Sequence, residues 1–481
     1  MSSETAIESQ AGNTAFLDAA YRILGEKGLV TDGESMAPWL TDWRGRYHGK
    51  ARALAQPASR DELAALVALC AKAGVPIVAQ GGNSGMVGGA TPDESGSALV
   101  LSTRRMNAID IDADAMIAVC DAGVVLQTLH EAAQAQGLRF PLSLGGKGSA
   151  TLGGLASTNA GGTQVLRHGV MRALVAGLEV VLASGEVLDL AAPLKKDNRG
   201  FDLKQMFIGS EGTLGIVARV IVKLCPAVAE RRVVVAGVES VHAARALMLH
   251  CEGRLADALE GFEIFPQSCL DAVLAYLPDA QAPLDGKHAW YALLEFVADK
   301  TAADALGDAV EQVLADAFEA GLLSDATIAA NETQAEAFWQ LRETISPAEK
   351  AKGPAAQHDI SVPVGKMPDF IEEASRRVLA DHPDHEVAAF GHLGDGNVHF
   401  HVIAPPGADA EEWAASTGKQ LSSMVYHLVT DWDGSISAEH GIGQDKRAML
   451  RETHDKTALR VMQAVKNALD PDGLLNPGKL V

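Results

Sequence analysis

The sequence predicts an α+β protein of two main domains, and three observations lead to that fold class. The chain has 481 residues, which is too long for one ordinary hydrophobic core. The first half lacks the sustained strand–helix–strand spacing that a doubly wound parallel sheet requires. From residue 226 onward, helices alternate with short strands, which is typical of an antiparallel sheet with helices on one face. The predicted domains cover residues 1–227 (core about 45–227) and 228–430, followed by a C-terminal segment, 431–481.

In the first half, two helices and several short strands are predicted. Residues 59–76 begin with serine, have apolar residues at helical spacing and end near glycine, so they predict a helix that leads into the strand "PIVAQ". Residues 125–138 predict a second helix. The region 97–123 alternates enough for two or three strands. The first 35 or so residues are expected to form a polar tail and a short helix.

In the second half, a change of pattern near Cys225-Pro226 marks the domain boundary. The stretches 240–253 and 301–321 have helical periodicity, whereas "AWYALLEFV" (289–297) reads as a strand. The chain ends in a helix followed by a tail rich in proline and glycine.

Composition excludes several classes of partner. The net charge of −22 argues against nucleic acid and anionic lipid, which both favour basic surfaces. No apolar run reaches the roughly 20 residues that span a bilayer, and no signal peptide is expected. The cysteines are odd in number and never form a C-x-x-C pair, so we expect a cytoplasmic protein with reduced thiols. They are Cys70, Cys120, Cys225, Cys251 and Cys269.

The segment "GHLGDGNVHFHV" (391–402) places three histidines around a predicted hairpin turn. Asp-Gly is a strong signal for a two-residue type I′ loop, so Asp395 and Gly396 are expected to form it. His392 would then face His399 directly across the hairpin, and His401 would project from the same face. Imidazoles that converge in this way suit a first-row metal ion.

A metal needs further ligands, and "SAEHGIG" (437–443) offers a carboxylate in Glu439 beside His440. Two histidines and one carboxylate leave coordination positions open, which indicates a catalytic rather than a structural site. The alternative is that the histidines merely stack across the hairpin. A non-haem Fe(II) oxygenase is a second alternative for the same ligand set.

Three glycine tracts lie in the first half, at 81–89, 144–163 and 209–217. The first follows a strand, as a loop that binds pyrophosphate through bare backbone N–H groups does. It matches neither a P-loop nor the Rossmann pattern. Three such tracts in one domain indicate an extended ligand such as a dinucleotide, and they argue against the oxygenase.

Together these motifs, in this order and with the closing "LLNPGK", resemble the FAD-dependent D-2-hydroxy acid dehydrogenases of the vanillyl-alcohol-oxidase-like flavoprotein superfamily. Within that family the chain looks like the D-2-hydroxyglutarate and D-lactate dehydrogenases. The resemblance runs from about residue 40 to the C-terminus. It implies a two-subdomain FAD-binding domain, a substrate domain with an antiparallel sheet covered by helices, and a C-terminal segment that returns to the FAD domain.

The resemblance also implies which residues bind FAD. The first loop lacks the histidine that often binds flavin covalently in the superfamily, so non-covalent FAD is expected. The implied FAD-binding residues are Gly81, Gly82, Asn83, Ser84, Gly85, Pro141, Gly145, Ser149, Thr151, Gly153, Gly154, Ser157, Asn159, Gly161, Gly162, Gly212, Ile216, Val217 and Asn476.

By the same resemblance, the metal ligands are His392, His399 and Glu439, with Zn²⁺ the usual ion and other divalent metals allowed. His440 matches the catalytic base and also lies at the substrate. Three further residues are implied to bind substrate: Arg342 on a carboxylate, Ser346 one helical turn later, and His401.

The chain departs from the D-2-hydroxyglutarate subgroup at two positions. Gln357 stands where lysine is common, and His401 stands where some members have asparagine. Both changes concern substrate recognition rather than the flavin and metal sites. D-2-hydroxyglutarate is nevertheless the first choice of substrate, because the motifs resemble that subgroup most and Arg342 is retained. D-lactate or another D-2-hydroxy monocarboxylate is the alternative. A non-catalytic flavoprotein subunit is disfavoured because it would lack a base such as His440. The expected electron acceptor is an electron-transfer flavoprotein, a quinone or oxygen. The resemblance is also compatible with a homodimer of this chain.

Overall fold

The computed structural model describes residues 3–481, with side chains from residue 12 onward. The chain forms two compact units. Unit 1 comprises residues 1–160, 170–225 and 440–481, and unit 2 comprises residues 161–169 and 226–439. The units differ from the predicted ranges in three respects. The boundary falls after residue 225 rather than 227, the final return to unit 1 begins at residue 440 rather than 431, and the short segment 161–169 belongs to unit 2.

The strands, in chain order, are β1 (Leu29–Val30), β2 (Leu54–Ala55), β3 (Ile77–Gln80), β4 (Leu99–Ser102), β5 (Ile109–Asp112), β6 (Ile117–Asp121), β7 (Leu138–Arg139), β8 (Val175–Val181), β9 (Val187–Leu190), β10 (Ile216–Lys223), β11 (Cys225–Pro226), β12 (Glu230–Val238), β13 (Leu259–Pro266), β14 (Trp290–Ala298), β15 (Asp325–Ile328), β16 (Ala355–Ser361), β17 (Glu386–His392) and β18 (Asn397–Ile403).

The α-helices, in chain order, are α1 (Ser3–Leu24), α2 (Gly33–Met36), α3 (Arg60–Ala73), α4 (Leu126–Gln134), α5 (Leu152–Thr158), α6 (Val165–His168), α7 (Met171–Leu174), α8 (Lys204–Phe207), α9 (Val241–Leu255), α10 (Gln267–Tyr276), α11 (Ala303–Glu319), α12 (Glu332–Glu343), α13 (Ile345–Lys352), α14 (Met367–Asp381), α15 (Ala410–Trp413), α16 (Lys419–Asp431), α17 (Arg447–Thr453) and α18 (Lys456–Leu469).

Unit 1 contains two larger sheets rather than one doubly wound sheet, and β7 also pairs with β11 in a two-stranded ladder. The first has the order β1-β2-β4-β3, in which β4 pairs in parallel with both β2 and β3. The second has the order β5-β6-β10-β8-β9 and is antiparallel throughout. The expectation that no doubly wound sheet forms is confirmed, because the larger sheets of unit 1 are one mixed and one antiparallel sheet.

The N-terminal expectation was wrong, because α1 is a 22-residue helix rather than a tail with a short helix. Phe16, Ala20 and Leu24 recur every four residues along it and are buried. They pack in the same core as Leu63 and Leu66 of α3, so tertiary burial rather than local sequence stabilises the helix.

Helix α3 forms as its sequence predicts. The Ser59 side chain accepts a hydrogen bond from the Glu62 N–H, and Gly74 ends the helix in the left-handed conformation. Helix α4 stops at Gln134, four residues before the predicted end, because Gly137 again takes a positive φ.

Unit 2 is built on a seven-stranded antiparallel sheet of order β15-β12-β14-β13-β17-β18-β16. Helices cover both faces, so the expectation of helices on one face was wrong. On β12, Val234 and Ala236 pack with α9 and α11, whereas Val233 and Val235 pack on the opposite side with α10 and α12. Consecutive buried residues along β12 and β13 reflect this double burial.

Two further features of the described residues bear on the sequence analysis. No helix among them is long and apolar enough to cross a membrane. All five cysteines are free thiols, and all except Cys225 are buried, as expected for reduced core residues.

Candidate active site

The histidine hairpin forms, but its register differs from the predicted one. β17 and β18 pair antiparallel with His392 opposite Asn397 and Phe390 opposite His399. The predicted pairing of His392 with His399 was therefore wrong by two residues. Because side chains alternate with period two, a shift of two leaves both histidines on the same face. Their ring centroids lie 5.7 Å apart across the diagonal.

The register changes because the loop has four residues, 393–396, instead of two. A type I′ turn needs positive φ at both central positions, but here only Gly396 has it, with φ of 81°. Asp395 instead accepts a hydrogen bond from the Asn397 N–H at 3.0 Å. That bond is the local turn that aspartate side chains favour.

Glu439 lies close to both histidines. Ligand atoms of His392, His399 and Glu439 all lie within 4.8 Å of one another. The segment that carries Glu439 pairs with the edge strand β16 through Ser435 and Ser361. The Glu439 N–H then donates to Asp359 Oδ2 at 2.9 Å. The edge strand thus places beside the hairpin a carboxylate that lies 40 residues after His399 in sequence.

Three further acids surround this group, and sequence reasoning gave none of them a role at the metal site. They are Glu263 on β13, Asp359 on β16 and Asp395 in the hairpin loop. Glu263 Oε1 lies 3.5 Å from His392 Nδ1, and Asp359 Oδ1 lies 3.8 Å from His399 Nδ1. An acid buried in an otherwise apolar strand, as in "LEGFEIF" and "HDISV", was the available signal.

The pKa values of two of the residues in this group, Glu439 and His392, are both raised. Burial raises the pKa of Glu439 to about 7, and the nearby Asp359 and Asp395 carboxylates add to the rise against the opposing effect of His392. Burial also disfavours charge on His392, but Glu263, Glu439 and Asp395 outweigh it and raise the pKa of that imidazole. Both shifts show that acidic groups outnumber basic groups in this cluster, so a positive charge is stabilised there.

His399 behaves differently. Burial and the charge of Arg342 hold its pKa well below the usual value, so its imidazole is neutral and its lone pair is free to bind a metal. Two imidazoles, one carboxylate and an excess of buried acid fit a divalent cation of the zinc type. The residues present therefore suit the metal that the resemblance implies.

Arg342 lies at the end of α12 and faces the same region. Its Nε donates to Glu263 Oε2 at 2.7 Å, and its guanidinium carbon lies 4.8 Å from the centre of the Phe390 ring. Ser346 lies in α13, beyond a break at Thr344. Pro347 has no N–H to continue the helix, which explains why the expected uninterrupted helical turn is broken.

His401 and Gln357 are partners in the adjoining pair of strands β18 and β16. His401 Nδ1 lies 2.5 Å from the buried carboxylate of Glu349 in α13. The same carboxylate accepts a longer contact from the Cys269 thiol, at 3.7 Å. His401 is thus held by an acid that sequence reasoning missed, whereas Gln357 is half-buried beside it.

In unit 1, the first and second glycine tracts pack directly on each other. A Cβ on Gly82 would lie 2.0 Å from Ser149 O, and one on Gly81 would lie 2.3 Å from Thr151 Oγ1. Asn83 has φ of 54°, whereas Gly85 and Gly145 both face open space. The two loops therefore form a surface of bare backbone, which fits a dinucleotide pyrophosphate.

The remaining implied FAD residues differ in their surroundings: some side chains hydrogen-bond locally, some lie in the hydrophobic core, and two residues lie in the other unit. Several side chains are engaged locally: Ser157 donates to Gly153 O, and Asn159 Oδ1 accepts from the Arg172 N–H. Ile216 and Val217 lie in hydrophobic core, so only their backbone is free to meet a cofactor. Gly154, Pro141 and Gly212 also lie in unit 1, but Gly161 and Gly162 belong to unit 2.

Asn476 is buried and its side-chain amide donates to Gly89 O and to Glu211 O. Its Oδ1 is buried without a hydrogen-bond partner among the described residues, as a group that awaits a ligand would be. Glu211, which sequence reasoning also missed, accepts from the N–H groups of Ile442 and Gly443. It therefore fixes the segment that begins at His440.

Family profiles match both halves of the chain. Residues 51–191 match the profile described as "FAD binding domain". Residues 228–480 match "FAD linked oxidases, C-terminal domain". The first match contains the first two glycine tracts, and the second contains the histidine hairpin with its returning segment.

Curated relatives cover almost the whole chain. A mitochondrial D-2-hydroxyglutarate dehydrogenase of Bos taurus is 36% identical over 462 residues, which is 94% of this chain and 81% of the relative. A D-2-hydroxyglutarate dehydrogenase of Xanthomonas citri pv. viticola is 36% identical over 453 residues, 94% of each chain. A Schizosaccharomyces pombe protein, provisionally named as a mitochondrial D-lactate dehydrogenase, is 32% identical and covers 95% of this chain and 88% of its own length.

Solved structures at low identity show the fold. A 4-ethylphenol oxidase from Gulosibacter chungangensis superposes with a TM-score of 0.71 at 19% identity, over 98% of this chain and 97% of that one. A p-cresol methylhydroxylase gives a TM-score of 0.75 at 15% identity over the same shares. The fold is of the vanillyl-alcohol-oxidase type. The chain belongs to the FAD-dependent D-2-hydroxy acid dehydrogenase family of FAD-linked oxidases.

Proposed function

We propose that this enzyme oxidises D-2-hydroxyglutarate to 2-oxoglutarate in a reaction that depends on a divalent metal ion. The observation that carries the proposal is the convergence of His392, His399 and Glu439 in the same unit as an arginine held by a buried acid. Bound FAD supplies the hydride acceptor for the substrate Cα–H. A divalent ion such as Zn²⁺, when bound, supplies a Lewis acid that lowers the pKa of the 2-hydroxyl group.

The three proposed ligands hold the metal with positions left open for substrate. Glu263 and Asp359 lie behind the two imidazoles and orient them, as carboxylates commonly do behind metal-bound histidines. The excess of buried carboxylate supports this assignment, because a bound cation would relieve its mutual repulsion.

Arg342 binds a substrate carboxylate. The Arg342 Nε donates a hydrogen bond to Glu263, and the Phe390 ring, on which the guanidinium packs, fixes the plane of the guanidinium. Within the described chain, no hydrogen bond to a protein group occupies its two terminal nitrogens. These nitrogens are the pair of donors that binds a carboxylate in a bidentate manner.

His440 removes the proton from the 2-hydroxyl group while the hydride leaves Cα. A peptide bond joins it to the proposed metal ligand Glu439, so its backbone follows the metal site directly. An imidazole is the usual general base at neutral pH. Glu211 anchors the backbone immediately after it.

The dicarboxylate requires a second anchor, for which Arg342, Ser346 and His401 are the candidates. Two relatives at 36% identity are named for D-2-hydroxyglutarate, which supports this choice. Gln357 pairs with His401 and can donate a hydrogen bond without charge. The distal site is therefore weaker than one with lysine at that position.

A D-2-hydroxy monocarboxylate such as D-lactate is the second candidate. The pairing of His401 with the buried Glu349 favours it, because that acid competes with a substrate carboxylate for the imidazole. An electron-transfer flavoprotein or a quinone would reoxidise the flavin in either case.

The test is a panel of D- and L-2-hydroxy acids, assayed with a dye acceptor and by anaerobic bleaching of the flavin. D-2-hydroxyglutarate should give the highest kcat/KM, and the L-acids should leave the flavin oxidised. A monocarboxylate that exceeds D-2-hydroxyglutarate by about tenfold or more would overturn the choice of substrate. Absence of bleaching by every D-acid would overturn the proposed reaction.

A further inference from the structure

Glu211 connects three separate segments of unit 1. Its carboxylate accepts hydrogen bonds from the N–H groups of Ile442 and Gly443, both at 2.7 Å. Its own carbonyl accepts from Asn476 Nδ2 at 2.7 Å, and its N–H donates to Ser157 O at 2.8 Å. All four of these groups come from outside the turn that carries Glu211.

The segment after His440 is shaped to receive this carboxylate. Gly441 has φ of 81° and Gly443 has φ of 52°, so the backbone folds into a concave turn whose successive N–H groups point to one anion. A Cβ on Gly441 would lie 2.8 Å from Glu211 Oε1. A Cβ on Gly443 would lie 2.2 Å from Val87 O, in the first glycine tract. Side chains are thus excluded at both positions.

Burial of the Glu211 carboxylate is unfavourable in free energy, because the charged group loses its hydration. Glu211 is 9% exposed, and burial raises the pKa of its carboxyl group in spite of the two N–H donors. The two hydrogen bonds fix the backbone one and two residues beyond the base at 440. Small displacements of a catalytic group cause large losses of rate, so a precise position of residue 440 would offset the unfavourable burial of Glu211.

We propose that Glu211 is a positioning residue: it sets the placement of His440 by clamping the backbone N–H groups of Ile442 and Gly443. This inference rests on the proposed role of His440 as the base. It assigns Glu211 no contact with substrate or flavin and no transfer of a proton.

The first experiment replaces Glu211 by glutamine in the full-length, FAD-loaded enzyme. The amide keeps the shape of the side chain but accepts only one of the two N–H groups and directs its own NH₂ at the other. Flavin reduction by a saturating D-2-hydroxy acid should slow by about 10- to 100-fold, with KM changed little and FAD content retained. The matched control is Glu179→Gln, another buried acid of unit 1, which pairs with Arg219 on the sheet. The control should lower Tm but keep the reduction rate within about twofold.

The second experiment is a double-mutant cycle with His440→Ala, read by single-turnover flavin reduction. If Glu211 acts through His440, Glu211→Gln should cause no further loss in the His440→Ala background. A full and multiplicative loss in that background would overturn the proposal, as would an unchanged rate in Glu211→Gln alone. Full activity of the single His440→Ala variant would instead refute the assignment of the base itself, so the two failures are told apart.

A second variant covers the case in which Glu211→Gln loses FAD. Gly441→Ala disturbs the same contact from the other side while the carboxylate remains. It should reproduce the slow flavin reduction at unchanged KM, and a wild-type rate in a correctly folded Gly441→Ala enzyme would overturn the proposal.

Discussion

Glu263 Oε2 lies 2.7 Å from Arg342 Nε, and across the sheet the same residue is the register partner of His392. One buried carboxylate therefore hydrogen-bonds to the arginine proposed to bind substrate and lies, through Oε1, 3.5 Å from Nδ1 of a proposed metal ligand. Arg342 and His392 together outweigh burial and lower the pKa of Glu263. The acid stays ionised, which it must do to orient both groups.

Replacing Glu263 by glutamine should therefore damage two functions at once. We expect metal affinity to fall by about 10- to 100-fold, as is usual when a group behind a metal-bound histidine is removed. The KM for the hydroxy acid should rise in the same variant because Arg342 loses its charged partner. Metal titration and steady-state kinetics measure the two effects. Glu295→Gln is the matched control, since Glu295 is a half-buried acid of the same sheet that pairs with Arg231. Equal losses in both variants would mean that Glu263 has only a structural role.

The metal itself is tested by chelation and by His392→Ala. Both treatments should abolish turnover and leave FAD bound, because the proposed metal ligands lie in unit 2, whereas the bare backbone surface of residues 81–85 and 145–154 lies in unit 1. Elemental analysis and the flavin spectrum report on the two sites separately. His358→Gln serves as a control: this histidine is buried on the neighbouring strand but bonds to Phe400 O and Ser422. Metal-free enzyme with full activity would show that the histidines merely stack.

Glu439 and His440 should separate into a ligand and a base. Glu439→Gln is expected to lower metal affinity by more than about 100-fold, beyond the loss for an outer carboxylate. His440→Ala is expected to retain the metal and to slow flavin reduction by about 10²–10⁴-fold. Metal content and single-turnover rates measured on both proteins distinguish the roles. Equal loss of metal from the two variants would make His440 a ligand.

Gln357 should limit the affinity for a distal carboxylate. Gln357→Lys adds a cation beside His401, so we expect kcat/KM for D-2-hydroxyglutarate to rise more than kcat/KM for D-lactate. Arg342→Ala should lower kcat/KM for D-2-hydroxyglutarate more than kcat/KM for D-lactate. The ratio of the two kcat/KM values in each variant is the measurement. Equal effects on both acids would indicate a general D-2-hydroxy acid pocket.

FAD should be released intact by acid. The first glycine loop contains no histidine, and Gly85 faces open space. Acid precipitation followed by a spectrum of the supernatant tests this expectation, and flavin that stays with the pellet would contradict it.

Much of this protein could be read from its sequence because the signals are local. The helix at residues 60–73 begins after a serine N-cap and ends at a glycine. Glycine tracts indicate backbone that passes close to a ligand or to another segment of the chain. Period-two alternation placed His392 and His399 on one face, and that conclusion survived a register error of two residues.

Only the tertiary structure decided which distant groups meet. Glu263, Asp359 and Glu439 are brought to the hairpin by neighbouring strands, and Glu211 reaches its partners across 231 residues of chain. Local patterns carry no information on such pairings, because a buried acid in an apolar strand looks the same whatever it binds. The sequence thus determined which chemical groups are present and which face they occupy. Long-range packing determined their partners, since burial makes an ion or hydrogen-bond partner obligatory without specifying where in the chain it lies.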